Sequence, residues 1–189
     1  SSIGGSPVTS TSRHFFVPPE KRDIGMVFQS YAIWPHMTVT QNVAYPLEIR
    51  RTDKSEIEDR VAESLRVVGL DNMAAKSATQ LSGGQQQRAA LARALVFHPR
   101  LLLFDEPLSN LDLKLRERMR VELKRIQHEV GITSVYVTHD QAEALVMSDE
   151  IVVMSKGFIQ QTGDPPAIYA RPANRFVSNF IGVANLIEG

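Results

Sequence analysis

Two adjacent carboxylates follow a continuous apolar run. Residues 101–104 (LLLF) read as a parallel strand covered on both faces, and Asp105, Glu106 and Pro107 come directly after it. Because proline disfavours helical geometry at the residue before it, both acids are expected at the strand tip. One acid there could bind a hard cation while the other activates a water. The alternative is a capped turn with one exposed acid.

Two other predicted strands also end in polar side chains. Residues 24–28 lead to Gln29, and residues 134–137 lead to Thr138 and His139. Open α/β sheets bind ligands at the carboxyl ends of their strands. Taken singly, Gln29 could be a surface residue and His139 a structural histidine. Three strand tips that all carry polar groups favour one shared site.

A pair of glycines opens a predicted helix. Ser82 has the position of an N-cap, and Gln85 closes a capping box with it. Each of Gly83 and Gly84 costs the helix about 1 kcal/mol relative to alanine. That cost is justified if an anion such as a phosphate approaches the exposed amides at the helix start. The alternative is an ordinary glycine-containing turn.

Further helices are predicted from their capping residues and from the glycines that end them. One amphipathic helix is predicted to begin at a Ser55 cap with Glu58 in the box position and to stop at Gly69. A longer helix follows residues 109–112 and ends at Gly131. Asp140, with Glu143 in the box position, is predicted to cap the helix after His139.

Turn residues predict two hairpins, and one segment lacks a regular pattern. Residues 151–154 and 158–160 flank Lys156-Gly157, while Gly4-Gly5 could join two short strands or belong to a linker. Residues 30–46 carry several aromatic side chains in a stretch predicted to be irregular. A last apolar cluster lies at Val183, Leu186 and Ile187.

Composition narrows the function classes. The chain has 189 residues with 21 basic and 21 acidic side chains, which argues against bulk nucleic-acid binding. It has no cysteine, so disulfides and thiolate metal sites are excluded. No apolar run approaches the ~20 residues needed to cross a bilayer. A soluble protein, or the soluble part of a larger one, is expected.

These motifs resemble those of ATP-binding cassette (ABC) ATPases. Residues 81–85 (LSGGQ) match the signature sequence of that family, and residues 101–106 are similar to its Walker B strand. Gln29 matches the Q-loop glutamine, residues 109–112 the D-loop, and His139 the switch histidine. All five motifs occur in the family's order and at family-like spacing.

The resemblance implies a fold class and a domain organisation. The expected fold is α/β, a partial P-loop NTPase core with a parallel sheet plus an α-helical subdomain. Residues 1–30 would be the remnant of an N-terminal core ending in the Q-loop, and residues 31–80 the helical subdomain. Residues 81–164 would hold the signature helix, Walker B strand, D-loop and switch histidine. Residues 165–189 would be C-terminal helices leading toward a regulatory domain.

The resemblance also implies ATP and Mg²⁺ as ligands. Glu106 would be the catalytic base and His139 would contact the γ-phosphate, while Asp105 and Gln29 would lie on the magnesium side. The nucleotide-binding residues that it implies are Gln29, Ser82, Gly83, Gly84, Gln85 and Asp112. Residues 82–84 would address the γ-phosphate held by the other subunit of a dimer.

As partners, the resemblance implies a homodimer or a paired ATPase subunit, transmembrane permease subunits and, indirectly, a periplasmic or surface solute-binding protein. Nucleic acid is not expected. The protein would be peripheral on the cytoplasmic face of the bacterial inner membrane. Residues 22–29 and 31–39 resemble bacterial importers of sugars, polyamines, sulfate and ferric iron, with the ferric-iron branch most similar.

One departure from the family stands out. A P-loop requires G-x-x-x-x-G-K-[ST], and no glycine of this sequence is followed by lysine. We therefore expect an internal fragment of a longer ATPase that is inactive alone. The alternatives are a non-transport ABC-type ATPase, which the absence of a long coiled coil in residues 30–80 disfavours, and a catalytically silent regulatory or interaction domain.

Overall fold

The structure is a computed structural model that describes residues 1–10, 12 and 14–181. The predicted apolar cluster at Val183, Leu186 and Ile187 lies outside these residues. The chain divides into two compact units, residues 1–137 and 138–189. Among the described residues, no helix is both long enough and apolar enough to cross a membrane. The four-part domain organisation given above remains a prediction.

The first unit contains a three-stranded parallel sheet. In spatial order, its strands are β5 (Ile24–Val27), β6 (Leu101–Asp105) and β7 (Ser134–Val137). Two short antiparallel pairs precede it: β1 (Ser2–Ile3) with β2 (Ser6–Pro7), and β3 (Thr9–Ser10) with β4 (Phe15–Phe16). The predicted parallel sheet and the predicted turn at Gly4-Gly5 are therefore confirmed.

Among its described residues this unit has four α-helices: α1 (Val39–Ile49), α2 (Lys54–Val67), α3 (Gly83–Leu95) and α4 (Leu113–Val130). The prediction that residues 30–46 are irregular is wrong for residues 39–46. Thr38 and Gln41 form a capping box that starts α1, and Pro46 is accommodated near its end. The predicted Ser55 cap is also wrong, because the N-cap of α2 is Asp53, two residues earlier, and the helix begins at Lys54. Gly131 ends α4 in the left-handed conformation, as predicted.

One face of the sheet is covered more completely than the other. Leu102 and Phe104 of β6 and Val27 of β5 are buried on the face that packs against α3. On the opposite face Met26, Val135 and Val137 are exposed. Residues 101 and 103 of β6 are only partly buried. The prediction that β6 is covered on both faces is therefore wrong for this structure.

Helix α3 lies so close to strand β5 that a side chain at Gly25 would collide with the backbone of the helix. A Cβ atom built on Gly25 would lie 2.5 Å from the carbonyl oxygen of Ala94 and 2.7 Å from Leu102 Cδ2. Real Cβ atoms do not approach other atoms this closely, so the site requires glycine for steric reasons. The contact joins the strand that leads to Gln29 directly to the end of α3.

The carboxyl end of α2 is held by arginines of two other helices. Arg125 of α4 donates to Val67 O at 3.3 Å, and Arg88 of α3 donates to Val68 O at 3.0 Å. Cations at this position complement the negative end of the helix dipole. Arg125 also donates to Glu122 at 2.9 Å, and this hydrogen bond lowers the pKa of the Glu122 carboxyl.

The second unit is built on a hairpin. Strands β8 (Ile151–Ser155) and β9 (Phe158–Gly163) pair around Lys156-Gly157, as predicted. Its helices are α5 (Gln141–Met147), α6 (Pro165–Ala170) and α7 (Arg175–Ile181). Ile151 and Val153 pack with Ile168, Val177 and Ile181 in its core.

Replacing Gly25 by alanine should lower the free energy of unfolding by about 2 kcal/mol, since overpacking a tight contact has a cost of this size. Urea unfolding followed by the fluorescence of Trp34, the only tryptophan, measures it. The matched control is Gly163→Ala in β9, where the added Cβ has its nearest neighbour at 3.7 Å. An unchanged urea midpoint for Gly25→Ala would contradict the packing described here.

The Glu122–Arg125 bond should make stability depend on pH in acid. A lowered carboxyl pKa in the folded state stabilises the protein above the unfolded pKa of about 4.3, and this contribution is lost as pH falls through the folded value. The unfolding free energy of Glu122→Gln should therefore be below that of the wild type at pH 7 and converge with it in acid. Arg125→Met should converge in the same way. A constant offset across urea titrations from pH 7 to 3 would rule out this linkage.

Candidate functional site

Asp105 and Glu106 lie at the carboxyl end of β6, as predicted. Asp105 is the last residue of the strand and is exposed, while Glu106 is partly buried. The backbone of Glu106 is held on both sides. Its N–H donates to Val137 O at 3.0 Å, and its carbonyl oxygen accepts from Ser109 N at 3.2 Å and from Ser109 Oγ at 2.9 Å. The turn after β6 is thus tied to the end of β7.

Glu106 has a left-handed backbone conformation, with φ of 45°. Non-glycine residues adopt this conformation at a cost, and such residues cluster at functional sites. Pro107 explains why the right-handed helical conformation is disfavoured, as expected from sequence. The left-handed conformation of Glu106 depends on its hydrogen bonds with Val137 and Ser109. The sequence pattern alone does not predict these bonds.

Gln29 lies two residues beyond β5, the neighbour of β6, and is exposed. Asn110 Nδ2 donates to the backbone carbonyl of Gln29 at 2.8 Å. The structure therefore brings Gln29 together with the turn that follows Asp105 and Glu106. Asn110 was missed by the sequence analysis, because a bond across 81 positions leaves no local signal.

The loop after Gln29 is held by a buried cation. Arg93 of α3 donates to Tyr31 O at 2.7 Å and to Ala32 O at 2.5 Å. Burial lowers the pKa of Arg93 and raises the pKa of Tyr31. Sequence reasoning missed Arg93. The available signal was a single cation within a run of small and apolar residues, 90–95 (ALARAL).

The start of α3 has the predicted capping box. Ser82 is the N-cap, and its N–H donates to Gln85 Oε1 at 2.9 Å. The two glycines have neighbours within the chain. A Cβ on Gly83 would lie 3.2 Å from Leu111 Cδ2, and one on Gly84 would lie 3.2 Å from Leu115 Cδ1 and from Met119 Sδ. The missing side chains thus allow residue 111 and helix α4 to pack closely on this turn.

Asp112 caps α4. Its Oδ1 atom accepts from Leu115 N at 3.0 Å, and the residue is exposed. This capping role is sufficient to explain why residue 112 is acidic, and it requires no bound ligand. A contact of Asp112 with nucleotide stays a prediction.

His139 belongs to the second unit and is exposed. The residues around it form a network in which Thr138 Oγ1 bonds to Glu143 Oε2 at 2.8 Å and Asp140 Oδ1 accepts from Glu143 N at 3.1 Å. The predicted Asp140 cap of α5 is therefore confirmed. That His139 joins Gln29, Asp105 and Glu106 in one site stays a prediction.

The donor set at the strand tips suits a magnesium ion bound together with a ligand. A carboxylate at Asp105 and an amide oxygen at Gln29 are hard ligands. Within the described ranges, no group of three or more acidic or histidine side chains could hold an ion by itself. Mg²⁺ typically takes only one or two protein carboxylates and completes its shell with waters and phosphates, so these residues fit it.

Comparison with known proteins finds relatives that are more than half identical in sequence to this chain. The spermidine/putrescine import ATP-binding protein PotA of Thermobifida fusca is 61% identical over 173 residues, which are 92% of this chain and 45% of that protein. The trehalose/maltose import ATP-binding protein MalK of Thermococcus litoralis is 53% identical over 180 residues, 95% of this chain and 48% of that one. The chain thus spans about half the length of these curated relatives.

Among solved structures, cbiO1 from Clostridium perfringens, part of the ABC transporter complex cbiONQ, has a TM-score of 0.75 and 28% identity. The match covers 90% of this chain and 67% of that one, and it confirms the α/β P-loop NTPase fold class. Residues 6–109 match the profile of the family described as ABC transporter. That range includes Gln29, the 82–85 turn and the two acids at the carboxyl end of β6. The chain therefore belongs to the ABC transporter ATPase family.

Proposed function

We propose that the chain is part of the ATP-binding subunit of a bacterial ABC importer, which couples ATP hydrolysis to solute uptake. The observation that carries the proposal is the tip of β6, where Glu106 is fixed in a strained conformation beside Asp105 and close to the Gln29 loop. Fixing a carboxylate before the reaction reduces the reorganisation needed to reach the transition state.

Glu106 is assigned as the general base. In this role its carboxylate accepts a proton from the water that attacks the γ-phosphate, and the bonds at both ends of its backbone keep the carboxylate in place. Asp105 and Gln29 would hold Mg²⁺, which neutralises charge on the phosphates when bound. His139 is assigned to the γ-phosphate. Family membership supports these roles, since it implies a nucleotide as ligand.

The start of α3 is assigned to the nucleotide of a second ATPase subunit. Ser82 is exposed, and the positive end of the α3 dipole is at this turn. Residues 83–85 and Asp112 would complete the contact across the dimer. Packing of Leu111, Leu115 and Met119 against the two glycines supports this assignment, because it holds the turn rigidly.

The partners proposed are a second ATPase subunit and transmembrane permease subunits, with a solute-binding protein acting through the permease. Residues 31–37 are proposed to face the permease, which places the protein on the cytoplasmic face of the membrane. PotA and MalK, named as import ATP-binding proteins, support the importer class. Their names refer to polyamines and to sugars, so the sequence-based prediction of ferric iron gains no support from them.

Hydrolysis by these 189 residues alone is not expected. The sequence contains no G-K-[ST] segment to hold the β- and γ-phosphates. ATP hydrolysis is therefore to be measured on the chain with whatever sequence its gene encodes on either side, together with its permease. Turnover by the 189 residues alone that disappears in Glu106→Gln would contradict this expectation.

Glu106→Gln should lower kcat for ATP by at least about 100-fold while ATP binding is retained, because the base is lost and the fold is not. Phosphate release and nucleotide binding are measured on the same samples. Glu117→Gln, an exposed acid of α4, is the matched control and should match the wild type. Equal kcat values for Glu106→Gln and Glu117→Gln would show that Glu106 is not the general base.

A charge placed at the N-cap separates a nucleotide role from a capping role. Asp and Asn cap helices about as well as Ser, so Ser82→Asp and Ser82→Asn should both keep the unfolding midpoint. The aspartate would repel a phosphate, whereas the asparagine would not. Ser82→Asp should therefore lower ATP-driven dimerisation and kcat by at least about tenfold relative to Ser82→Asn, for a repulsion of roughly 1.4 kcal/mol. Equal activities would show that the turn has only a structural role.

A further inference from the structure

We propose that Arg93 is a positioning residue that joins the loop carrying Gln29 to the helix carrying Ser82–Gln85. The proposal rests on the function given above and adds a residue to it. Through this side chain, a displacement of the loop after β5 is transmitted to the start of α3. A displacement of the start of α3 is likewise transmitted to the loop. Arg93 touches no substrate in this role and acts only through the two segments that it connects.

The burial of Arg93 is the first observation. The residue is 7% exposed, so its charge is almost fully removed from water. In the part of the chain that the structure describes, no carboxylate forms an ion pair with it. Its charge is instead met by two backbone carbonyls and by the ring of Trp34, whose centroid is 4.7 Å from Cζ. An unpaired buried cation is costly, so its presence calls for a reason beyond packing.

The carbonyls that Arg93 binds belong to strained residues. Tyr31 has φ of 60° and Ala32 has φ of 47°, so two successive non-glycine residues are left-handed. Single residues visit this conformation, but consecutive ones require support from outside the segment. The two donors of one planar guanidinium supply that support, and a lysine, as a point charge, could not reproduce the paired geometry.

The same loop is tied onward to α1. Asn42 accepts from Trp34 N at 2.9 Å and donates to Trp34 O at 3.1 Å, and Asn42 is fully buried. The rings of Trp34 and Tyr45 have centroids 4.4 Å apart. Arg93 therefore lies where α3, the loop after Gln29 and the aromatic pair meet. A displacement of any one of these three elements therefore displaces the other two.

At the other end, α3 continues without interruption from Arg93 to Ser82. Leu111 packs on Gly83, and its neighbour Asn110 binds Gln29 O. The loop after Gln29 and the start of α3 are thus connected twice, through Arg93 and through the 109–112 turn. Because of these two connections, the loop after Gln29 and the start of α3 move together. The positions of Gln29 and Ser82 are coupled in this way.

Hydrogen exchange and steady-state kinetics test the proposal. Arg93→Lys should speed amide exchange of residues 29–34 by about tenfold or more, as expected when hydrogen bonds from a charged group are lost. In the ATPase with its permease, kcat should fall by a similar factor while KM for ATP changes by less than about twofold, since the variant alters positioning and leaves ground-state binding intact. Arg118→Lys, on the exposed face of α4, is the matched control.

A second change distinguishes positioning from packing. Ala32→Gly removes the side-chain penalty of the left-handed conformation at residue 32. In the Arg93→Lys background it should return loop exchange and kcat toward wild type. If Arg93 served only the core, glycine in an exposed loop would not rescue it. Should Arg93→Lys fail to fold, Arg93→Met removes the buried charge and carries the same expectations in both backgrounds.

Three results would overturn the proposal: unchanged loop exchange in Arg93→Lys, an absent rescue by Ala32→Gly, or unfolding of both Arg93 variants. Failure of the proposed function is distinguished by the wild type. A wild-type assembly that hydrolyses no ATP refutes the importer assignment, while the exchange experiments still decide whether Arg93 holds the loop.

Discussion

Helix α3 packs closely against its neighbours where glycines lack side chains, and the rest of the first unit depends on this packing. At one end Gly25 of β5 lets the strand approach the Ala94 carbonyl, and at the other Gly84 lets α4 approach the first turn. Backbone held at such distances cannot shift without repacking. The strand leading to Gln29 and the turn carrying Ser82 are consequently placed relative to one another by sterics.

Several of the left-handed residues in this unit are held by hydrogen bonds to distant parts of the chain. Glu106 N–H donates to Val137 O, and the carbonyls of Tyr31 and Ala32 accept from Arg93. Strained residues persist only where the surroundings over-determine them. Arg93 of α3 provides such support for the loop after Gln29. The end of β7 and Ser109 provide it for the candidate base.

Elements whose signals are local could be predicted from the sequence. The capping box at Ser82, the cap at Asp140 and the strand before Asp105 each follow from residues within one turn or one strand. Helix α1 was missed although Thr38 and Gln41 carry the same signal, because the aromatic residues around them suggested irregular structure. Arg93 and Asn110 could not be found in this way, since the bonds that define them connect segments 61 and 81 residues distant.

The glycine pair shows how a correct motif can carry two explanations. From sequence, the bare backbone at Gly83-Gly84 suggested the approach of an anion. In the structure the missing side chains make room for Leu111, Leu115 and Met119. These explanations are compatible, because packing acts on the side of the turn that faces α4 while Ser82 remains exposed. A turn that is already held by contacts within the chain loses little conformational entropy when it binds a ligand. The packing against α4 therefore favours ligand binding on the exposed side of the turn, where Ser82 lies.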